Sequence, residues 1–223
     1  MSFRHEVKHE ITYADFLCLK SRLSHVMEAD PHAENGSYFV RSMYFDDIYD
    51  TALKEKLNGV NRRQKFRLRY YDNNTGYIVL ESKSKINNLC LKKQAIIDMD
   101  IAKDIISGSL KGIGKSTDPV LNEFVGAITM KNLRPKTIVD YRREPYVYYP
   151  GNVRVTLDYN IRTGLNSRKF FDSECVTVPV KGNPIILEIK WDEYLPNIIR
   201  DIVLLHGINS GAFSKYAASR MYD

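Results

Sequence analysis

The segment Lys65-Phe66-Arg67-Leu68-Arg69-Tyr70 alternates cationic and apolar side chains without interruption. Successive side chains of an extended strand point to opposite faces, so the lysine and both arginines share one face and the apolar residues share the other. An apolar face packs on a core, whereas an all-cationic face needs either solvent or an anion beside it. The segment therefore predicts a β-strand that carries a row of positive charge.

Four further segments repeat this layout. Taken singly, each fits the solvent face of an antiparallel sheet, which mixes Ser, Thr, Gln and both charge signs. Several neighbouring rows of like charge repel unless an anion lies among them, so the pattern as a whole indicates a bound polyanion. A carboxylate also stands two residues before a lysine in Glu6/Lys8, Glu81/Lys83 and Glu188/Lys190. The four segments are residues 4–8, 79–85, 154–158 and 186–190.

The period-two segments, separated by short Gly, Asn and Ser clusters, predict a mainly β (α+β) protein in a single domain, residues 1–223. An antiparallel β-barrel with the charged faces inward would form a charged tunnel, with helices packed on the outside. Arg and Lys side chains in such a tunnel clamp phosphate oxygens. The glutamates can then hold Mg²⁺ or Mn²⁺, which bridges phosphate oxygens during phosphoryl transfer.

Helix signals occur at a few places. Thr12 and Asp15 are spaced as a capping box ahead of an apolar stripe. Asp118 followed by Pro119 marks the start of a second helix. A third helix is predicted over residues 193–205, and a shorter helical turn over 101–106.

Composition limits the partners and the compartment. The chain has 33 Lys and Arg against 27 Asp and Glu, a formal net charge of +6. A positive field attracts nucleic acid, an acidic membrane face and phosphorylated small molecules alike. The three cysteines are widely spaced, which favours a reducing, cytoplasmic location over a disulfide framework. No stretch approaches the roughly 20 apolar residues of a membrane span, so we expect no membrane insertion by this chain.

Two short matches to catalytic motifs do not fit their required context. Residues 5–9 match the HExxH zinc-protease pattern, but on a strand the two histidines lie about 13 Å apart, too far to share a zinc ion. The stretch from Gly108 to Ser116 resembles a phosphate-binding P-loop, but it has one residue too many and no buried strand before it. We expect a solvated loop there, including Lys111 and Lys115.

In order along nearly the whole chain, several short motifs together resemble the VTC domain, the polyphosphate polymerase domain of the vacuolar transporter chaperone family. That family is a branch of the triphosphate tunnel metalloenzymes, also called the CYTH-like superfamily. The motifs are Arg4-x-Glu6-x-Lys8, Ser42-Met43-Tyr44-Phe45-Asp46, Arg67-Leu68-Arg69-Tyr70, Glu81-Ser82-Lys83, Tyr141-x-Arg143, Arg154-x-x-Leu157-Asp158, Glu188-Ile189-Lys190 and Ser214-Lys215-Tyr216.

The resemblance implies that basic residues bind the ATP triphosphate and a growing phosphate chain. Family positions for phosphate ligands fall on Lys8, Arg67, Arg69, Lys83, Arg143, Arg154 and Lys215, with Ser214 beside them, and the position of the metal ligand falls on Glu188. Lys92 is included, with Lys93 as the alternative, because a one-residue shift reverses which side chain faces inward. Ala212 stands where yeast-like members have a lysine.

Combining pattern and resemblance gives one candidate site. The expected catalytic residues are Arg67, Arg69, Lys83 and Lys215. The metal ligands, for Mn²⁺ or Mg²⁺, are Glu188, Glu6 and Glu81. The remaining phosphate-binding residues are Lys8, Lys65, Lys92, Arg143, Arg154, Lys190 and Ser214.

Several functions share these requirements. The preferred prediction is a polyphosphate polymerase that transfers the γ-phosphate of ATP to polyphosphate. The alternatives are a hydrolase or cyclase of the same fold, and a non-catalytic sensor of polyphosphate or nucleotide. No nucleic acid is expected, because the apolar residues of strand 65–70 alternate away from the charges, and the fifteen tyrosines are assigned to the core and the barrel exterior. Without the SPX domain and membrane segments of eukaryotic members, export of product would need a separate membrane partner.

Overall fold

A computed structural model describes residues 4–33, 35–86, 89–110, 113, 116–165, 167–205 and 213–221. Strands make up most of the regular structure. The strands are β1 (His5–Ile11), β2 (Glu28–Ala29), β3 (Tyr38–Asp46), β4 (Arg63–Tyr71), β5 (Asn74–Ile86), β6 (Leu89–Ile97), β7 (Arg134–Tyr148), β8 (Val153–Gly164), β9 (Val178–Pro179) and β10 (Ile185–Trp191). The helices are α1 (Tyr13–Val26), α2 (Thr51–Leu57), α3 (Met99–Ser107), α4 (Pro119–Lys131), α5 (Asn197–Val203) and α6 (Lys215–Ser219).

The long strands form one antiparallel sheet in the order β1-β10-β8-β7-β3-β4-β5-β6, with β2 paired to β7 and β9 paired to β8. The sheet curls into a half-barrel whose two arms approach each other. Across the described strands no ladder joins β1 to β6; instead Glu6 on β1 contacts Lys83 on β5, with 3.0 Å between Oε2 and Nζ. The predicted fold class, a mainly β antiparallel tunnel with helices outside, is confirmed.

The outer face of the sheet holds the core, as the alternation in β4 predicts. Phe66, Leu68 and Tyr70 are fully buried there, together with residues of α3 and α4. On α4, the ring of Phe124 lies 5.0 Å from that of Phe45 and 5.2 Å from that of Phe66, measured between centroids. This packing fixes the cationic residues of β4 on the opposite, inner face.

Helix α1 covers the other arm of the sheet. Its capping box is formed as predicted, with Thr12 and Asp15 each accepting from the other's backbone N–H. Phe16, Leu19 and Leu23 are buried against apolar residues of β8 and β10. Strands β8 and β10 are therefore held from outside by a well-capped amphipathic helix.

Some predicted boundaries need correction. The third helix begins at Asn197 rather than at residue 193 and ends at Val203, because Pro196 disfavours helical geometry in the residue before it. The helical turn at 101–106 is part of the longer α3. The short helices α2 and α6 were not predicted.

The structure also shows where the zinc-protease-like motif and the start of the P-loop-like motif lie. His5 and His9 lie on strand β1, as expected. Gly108 has φ of 80° and ends helix α3, so helix rather than strand precedes the P-loop-like stretch. Lys111, Gly114, Lys115, His206 and Ala212 lie outside the described residues. None of the helices in the described ranges combines the length and apolar character needed to cross a membrane.

Candidate functional site

The inner face of the curled sheet encloses a cavity of about 1930 Å³. Among the described residues, fifteen Lys and Arg but only four Asp and Glu line it. Confining so many like charges in one cavity is unfavourable unless an anion of high charge enters. The cavity therefore has the electrostatics of a polyanion site.

Every residue predicted for the site lines this cavity, except Glu81. The ambiguity at positions 92 and 93 is also resolved. Lys92 faces the interior, with its Nζ 2.6 Å from Glu81 Oε1, whereas Lys93 bonds Glu123 of α4 on the outside. The inward side chains follow from the pleat: alternate residues of each strand reach the cavity.

Glu6 and Glu188 share their lysines at the junction of β1 and β10. Lys8 Nζ lies 2.8 Å from Glu6 Oε1 and 3.0 Å from Glu188 Oε1. Lys190 Nζ lies 2.9 Å from Glu188 Oε2 and 3.6 Å from Glu6 Oε2. The strand register places each glutamate directly opposite a lysine, which stabilises the pair of strands.

Both carboxylates are held in the ionised form. Burial by itself raises the pKa of Glu188, but Lys190, Lys8 and Arg143 outweigh it and place that pKa well below its ordinary value. Burial and Glu188 likewise raise the pKa of Glu6, and the surrounding lysines more than compensate. The two groups therefore present negatively charged oxygens to the cavity at neutral pH.

Glu81 lies deeper in the wall. Its side chain is 2% exposed and forms ion pairs with Arg67 and Lys92. Arg67 also donates to the hydroxyl of Tyr44, at 3.0 Å. The carboxylate thus orients two of the cavity's cations.

A second carboxylate of this kind was not predicted as a site residue. Asp158, fully buried on β8, accepts from Arg143 at 2.6 and 2.7 Å through both oxygens and from Lys215 at 2.6 Å. Burial raises its pKa, but the two cations lower it to about 2. Its position four residues after Arg154, on the same strand face, is the signal that sequence reasoning could have used.

The assignment of the tyrosines to the core and the barrel exterior is wrong for seven of those that the structure describes, which line the cavity. Three of the seven, Tyr38, Tyr44 and Tyr141, hold arginine side chains. Their hydroxyls accept hydrogen bonds from Arg154 at 2.9 Å, from Arg67 at 3.0 Å and from Arg69 at 3.0 Å, respectively. Their period-two spacing with neighbouring polar residues, as in Tyr141-x-Arg143, could have indicated this. These phenols orient the arginine side chains in the cavity.

Ser214 and Lys215 reach the cavity from the start of α6. The Ser214 hydroxyl accepts from the backbone N–H of Ala217 and caps that helix. Capping directs Lys215 inward, where its ammonium also lies 4.6 Å from the ring centre of Tyr141. A short helix outside the sheet therefore contributes one cation to the site.

Lys65 differs from the paired cations. Among the described residues no carboxylate forms an ion pair with it, and its ammonium lies 5.7 Å from the ring centre of Tyr44. Burial lowers its pKa to about 7, with Lys83, Arg67 and Lys8 adding to the effect and Tyr44 opposing it. The pKa of Tyr44 is also about 7, because Arg67, Lys65 and Arg69 outweigh the effect of its burial.

Glu6 and Glu188 fit a divalent metal ion by their chemistry. Both are ionised hard oxygen donors that face the cavity, and both contact the same ammonium groups. Within the described ranges no group of three or more His, Cys, Asp or Glu converges on a common point. Such a pair suits Mg²⁺ or Mn²⁺, which commonly uses one or two carboxylates and completes its shell with phosphate oxygens and water.

Comparison with protein-family models finds a match over nearly the whole chain. The family model described as the VTC domain matches residues 3–222. A search of curated proteins finds no significant match.

Solved structures share the fold at low identity. A candidate adenylyl cyclase from Hippeastrum, with a dominant triphosphatase activity, is 15% identical with a TM-score of 0.58, covering 98% of this chain and 95% of its own. A candidate adenylate cyclase from Bacillus halodurans is 15% identical with a TM-score of 0.53, covering 85% of this chain and 80% of its own. At this identity the likeness is one of fold.

Proposed function

The chain belongs to the VTC domain family, and from that premise we propose that it transfers the γ-phosphate of ATP to a growing polyphosphate chain. Mg²⁺ or Mn²⁺ is the proposed cofactor, ATP and polyphosphate are the proposed ligands, and the cytoplasm is the proposed location. The observation that carries this proposal is the cation-rich cavity, in which carboxylates and phenols hold individual cations in position.

Cationic side chains that are already held in position suit phosphoryl transfer. That reaction requires positioning and charge stabilisation rather than covalent catalysis by the protein. Arg143 is held by both oxygens of Asp158, and Arg67 by Glu81 and Tyr44. A triphosphate that enters meets donors that need little reorganisation. Electrostatic preorganisation of this kind is often the largest contribution to catalysis.

In the proposed step, an oxygen of the chain's terminal phosphate attacks the γ-phosphorus of ATP. The bond from that phosphorus to the β–γ bridging oxygen breaks, and ADP leaves with the oxygen. Arg67, Arg69, Lys83 and Lys215 are the proposed catalytic cations that stabilise the developing charge. Glu6 and Glu188 are the proposed ligands of a divalent cation, which would neutralise charge on the phosphate oxygens when bound.

A triphosphatase is the second candidate. The Hippeastrum protein of similar fold has a dominant triphosphatase activity, and that reaction needs the same clamp. Only the acceptor differs, since water replaces the terminal phosphate of a chain. The cavity itself does not distinguish these acceptors.

The experiment that separates the candidates is an assay of purified protein with ATP and Mn²⁺ or Mg²⁺. Production of ADP and free phosphate would be quantified, and phosphate chains resolved on a gel. We expect ADP and long chains with little free phosphate. Free phosphate without chains would identify the triphosphatase, and tight triphosphate binding without turnover would identify a sensor.

Variants would assign the turnover to this cavity. Arg69→Ala should lower turnover by about 100-fold, the usual cost of removing one preorganised donor. Glu188→Gln should raise the metal concentration needed for half-maximal activity. Lys93→Ala is the matched control, because that lysine pairs with Glu123 outside the cavity. Normal turnover and metal dependence in both cavity variants would contradict the assignment.

A further inference from the structure

Two residues of the sequence motifs, Asp46 and Tyr216, have no role in the site described above. Asp46 ends β3, Tyr216 follows Lys215 on α6, and neither lines the cavity. Their side chains meet across 170 positions of sequence, where the Tyr216 hydroxyl donates to Asp46 Oδ2 at 2.6 Å. Both residues are almost completely buried. A short hydrogen bond to a buried carboxylate fixes the two elements that carry it relative to each other.

Asp46 is itself anchored by backbone groups. Its carboxylate accepts the backbone N–H groups of Ala52 and Leu53, at 2.9 and 3.1 Å. Both residues belong to the first turn of α2, and the N-cap residue of that helix, Asp50, makes no capping hydrogen bond with its side chain. A negative charge is favourable at a helix N-terminus. Asp46 is therefore a fixed point at the junction of β3 and α2.

Helix α6 depends on contacts of this kind for its position. It has only five residues, and an isolated helix of that length is not stable in water. Arg220, directly after the helix, donates to both carboxylate oxygens of Asp50, at 2.8 and 3.2 Å, and to the Tyr216 hydroxyl at 3.1 Å. Burial and Asp46 raise the pKa of Tyr216, so its hydroxyl keeps the proton that it donates. Both anchors of α6 thus lie at the N-terminus of α2.

The position of Lys215 depends in turn on α6. Neighbouring residues of a helix point about 100° apart, so a fixed Tyr216 determines the direction of Lys215. The Lys215 ammonium reaches the cavity and lies 2.6 Å from Asp158 Oδ2. The ring of Tyr216 also stacks on that of Tyr44, a cavity residue, with 5.1 Å between centroids. The buried side of α6 is therefore continuous with the cavity wall.

We propose that Asp46, Tyr216 and Arg220 are positioning residues for Lys215. By fixing α6 against α2, they hold the Lys215 ammonium where an entering phosphate chain contacts it. The inference rests on the proposed function, in which Lys215 is one of the catalytic cations. None of the three positioning residues lines the cavity. A loss of phosphate binding on their substitution must therefore be transmitted through α6.

The test is a double-mutant cycle on the binding of inorganic tripolyphosphate, measured by calorimetry without divalent metal. Lys215→Gln alone should weaken binding about tenfold, the loss typical of one hydrogen bond from a charged group. Tyr216→Phe keeps the ring and removes the hydroxyl. It should weaken binding roughly fivefold by itself but less than about twofold when Lys215 is already glutamine, because the effects of coupled residues do not add. Arg220→Gln is expected to behave in the same way and replaces Tyr216→Phe in the cycle if that variant does not fold.

Tyr146→Phe is the matched control. Tyr146 is also buried and also donates to a carboxylate, that of Glu144, but it belongs to the apolar cluster beneath α1. This variant should lower the melting temperature as Tyr216→Phe does, and it should leave tripolyphosphate affinity within about twofold of the wild type. No loss of binding in Tyr216→Phe, or the same loss with and without Lys215, would overturn the inference. Because binding needs no turnover, coupling in a protein that makes no phosphate chains would contradict the proposed function alone.

Discussion

At the scale of single residues, carboxylates hold several of the cavity's cations, but Lys65 has no ion-paired carboxylate among the described residues. Asp158 holds Arg143 and Lys215, and Glu81 holds Arg67 and Lys92. These carboxylates hold their cations in place. Lys65 instead faces Tyr44, Arg67, Lys83 and Lys8, with no ion-paired carboxylate among the described residues.

This exception predicts a pH dependence of phosphate binding. The pKa values of Lys65 and Tyr44 are both about 7, so below that pH the pair is ammonium and phenol. Above it, Lys65 loses positive charge and Tyr44 gains negative charge, and both changes weaken anion binding. Between pH of about 6.5 and 8.5, tripolyphosphate affinity should fall about tenfold more in the wild type than in Lys65→Arg, because arginine stays charged.

The measurement is the dissociation constant of tripolyphosphate across that pH range. Lys8→Arg is the control: although burial opposes it, Glu188 and Glu6 raise the pKa of Lys8 above its ordinary value, so this lysine is already charged throughout. Its pH profile should run parallel to that of the wild type. Parallel profiles for the wild type and Lys65→Arg would show that Lys65 does not titrate in this range.

At the scale of elements, each strand of the cavity wall needs a brace on its outer face. Helix α4 braces β3 and β4 through Phe124, which is fully buried against Phe45 and Phe66. The same strands carry Ser42, Arg67 and Arg69 on their inner faces. Like charges along the inner face favour spreading of the strands, so packing on the outer face must hold them together.

Phe124→Ala should therefore destabilise the protein by about 3 to 5 kcal/mol, the usual cost of emptying a fully buried aromatic site. The free energy of unfolding would be measured by urea denaturation. On the same helix, Met130 is 86% exposed, and Met130→Ala should stay within about 0.5 kcal/mol of the wild type. A similar effect of the two substitutions would mean that α4 does not brace the sheet.

At the scale of the whole molecule, the curl of the sheet gathers charge from distant parts of the chain. Glu6 and Lys83 meet although 77 positions separate them in sequence. The result is a cavity whose lining is strongly cationic in the described part of the molecule. Folding must therefore overcome repulsion that a bound polyanion would relieve.

Tripolyphosphate should raise the melting temperature for this reason. A ligand at 100 times its dissociation constant adds about 2.7 kcal/mol of stability, and for a domain of this size that corresponds to a rise of roughly 5 to 10 °C. The melting temperature would be followed by calorimetry, with sodium chloride at matched ionic strength as the control. An equal rise with chloride would indicate general screening instead of a polyanion site.

Much of this molecule can be derived from short-range patterns. The alternation in residues 65–70 determines which side chains of β4 face the cavity, and Thr12 with Asp15 determines where α1 begins. The motifs also indicated the family. These features depend on neighbours in sequence. The side chains of a strand alternate every two residues, and a helix cap forms between residues within four positions of each other.

The tertiary structure decided the rest. It placed Lys92 inside and Lys93 outside, joined Asp158 to Arg143 and Lys215, and enclosed Glu81 in the wall. It also brought seven of the described tyrosines to the lining of the cavity. These contacts depend on the register and the curl of the whole sheet. The distance between two strands far apart in sequence is set by every strand pairing that lies between them, so local alternation does not determine it.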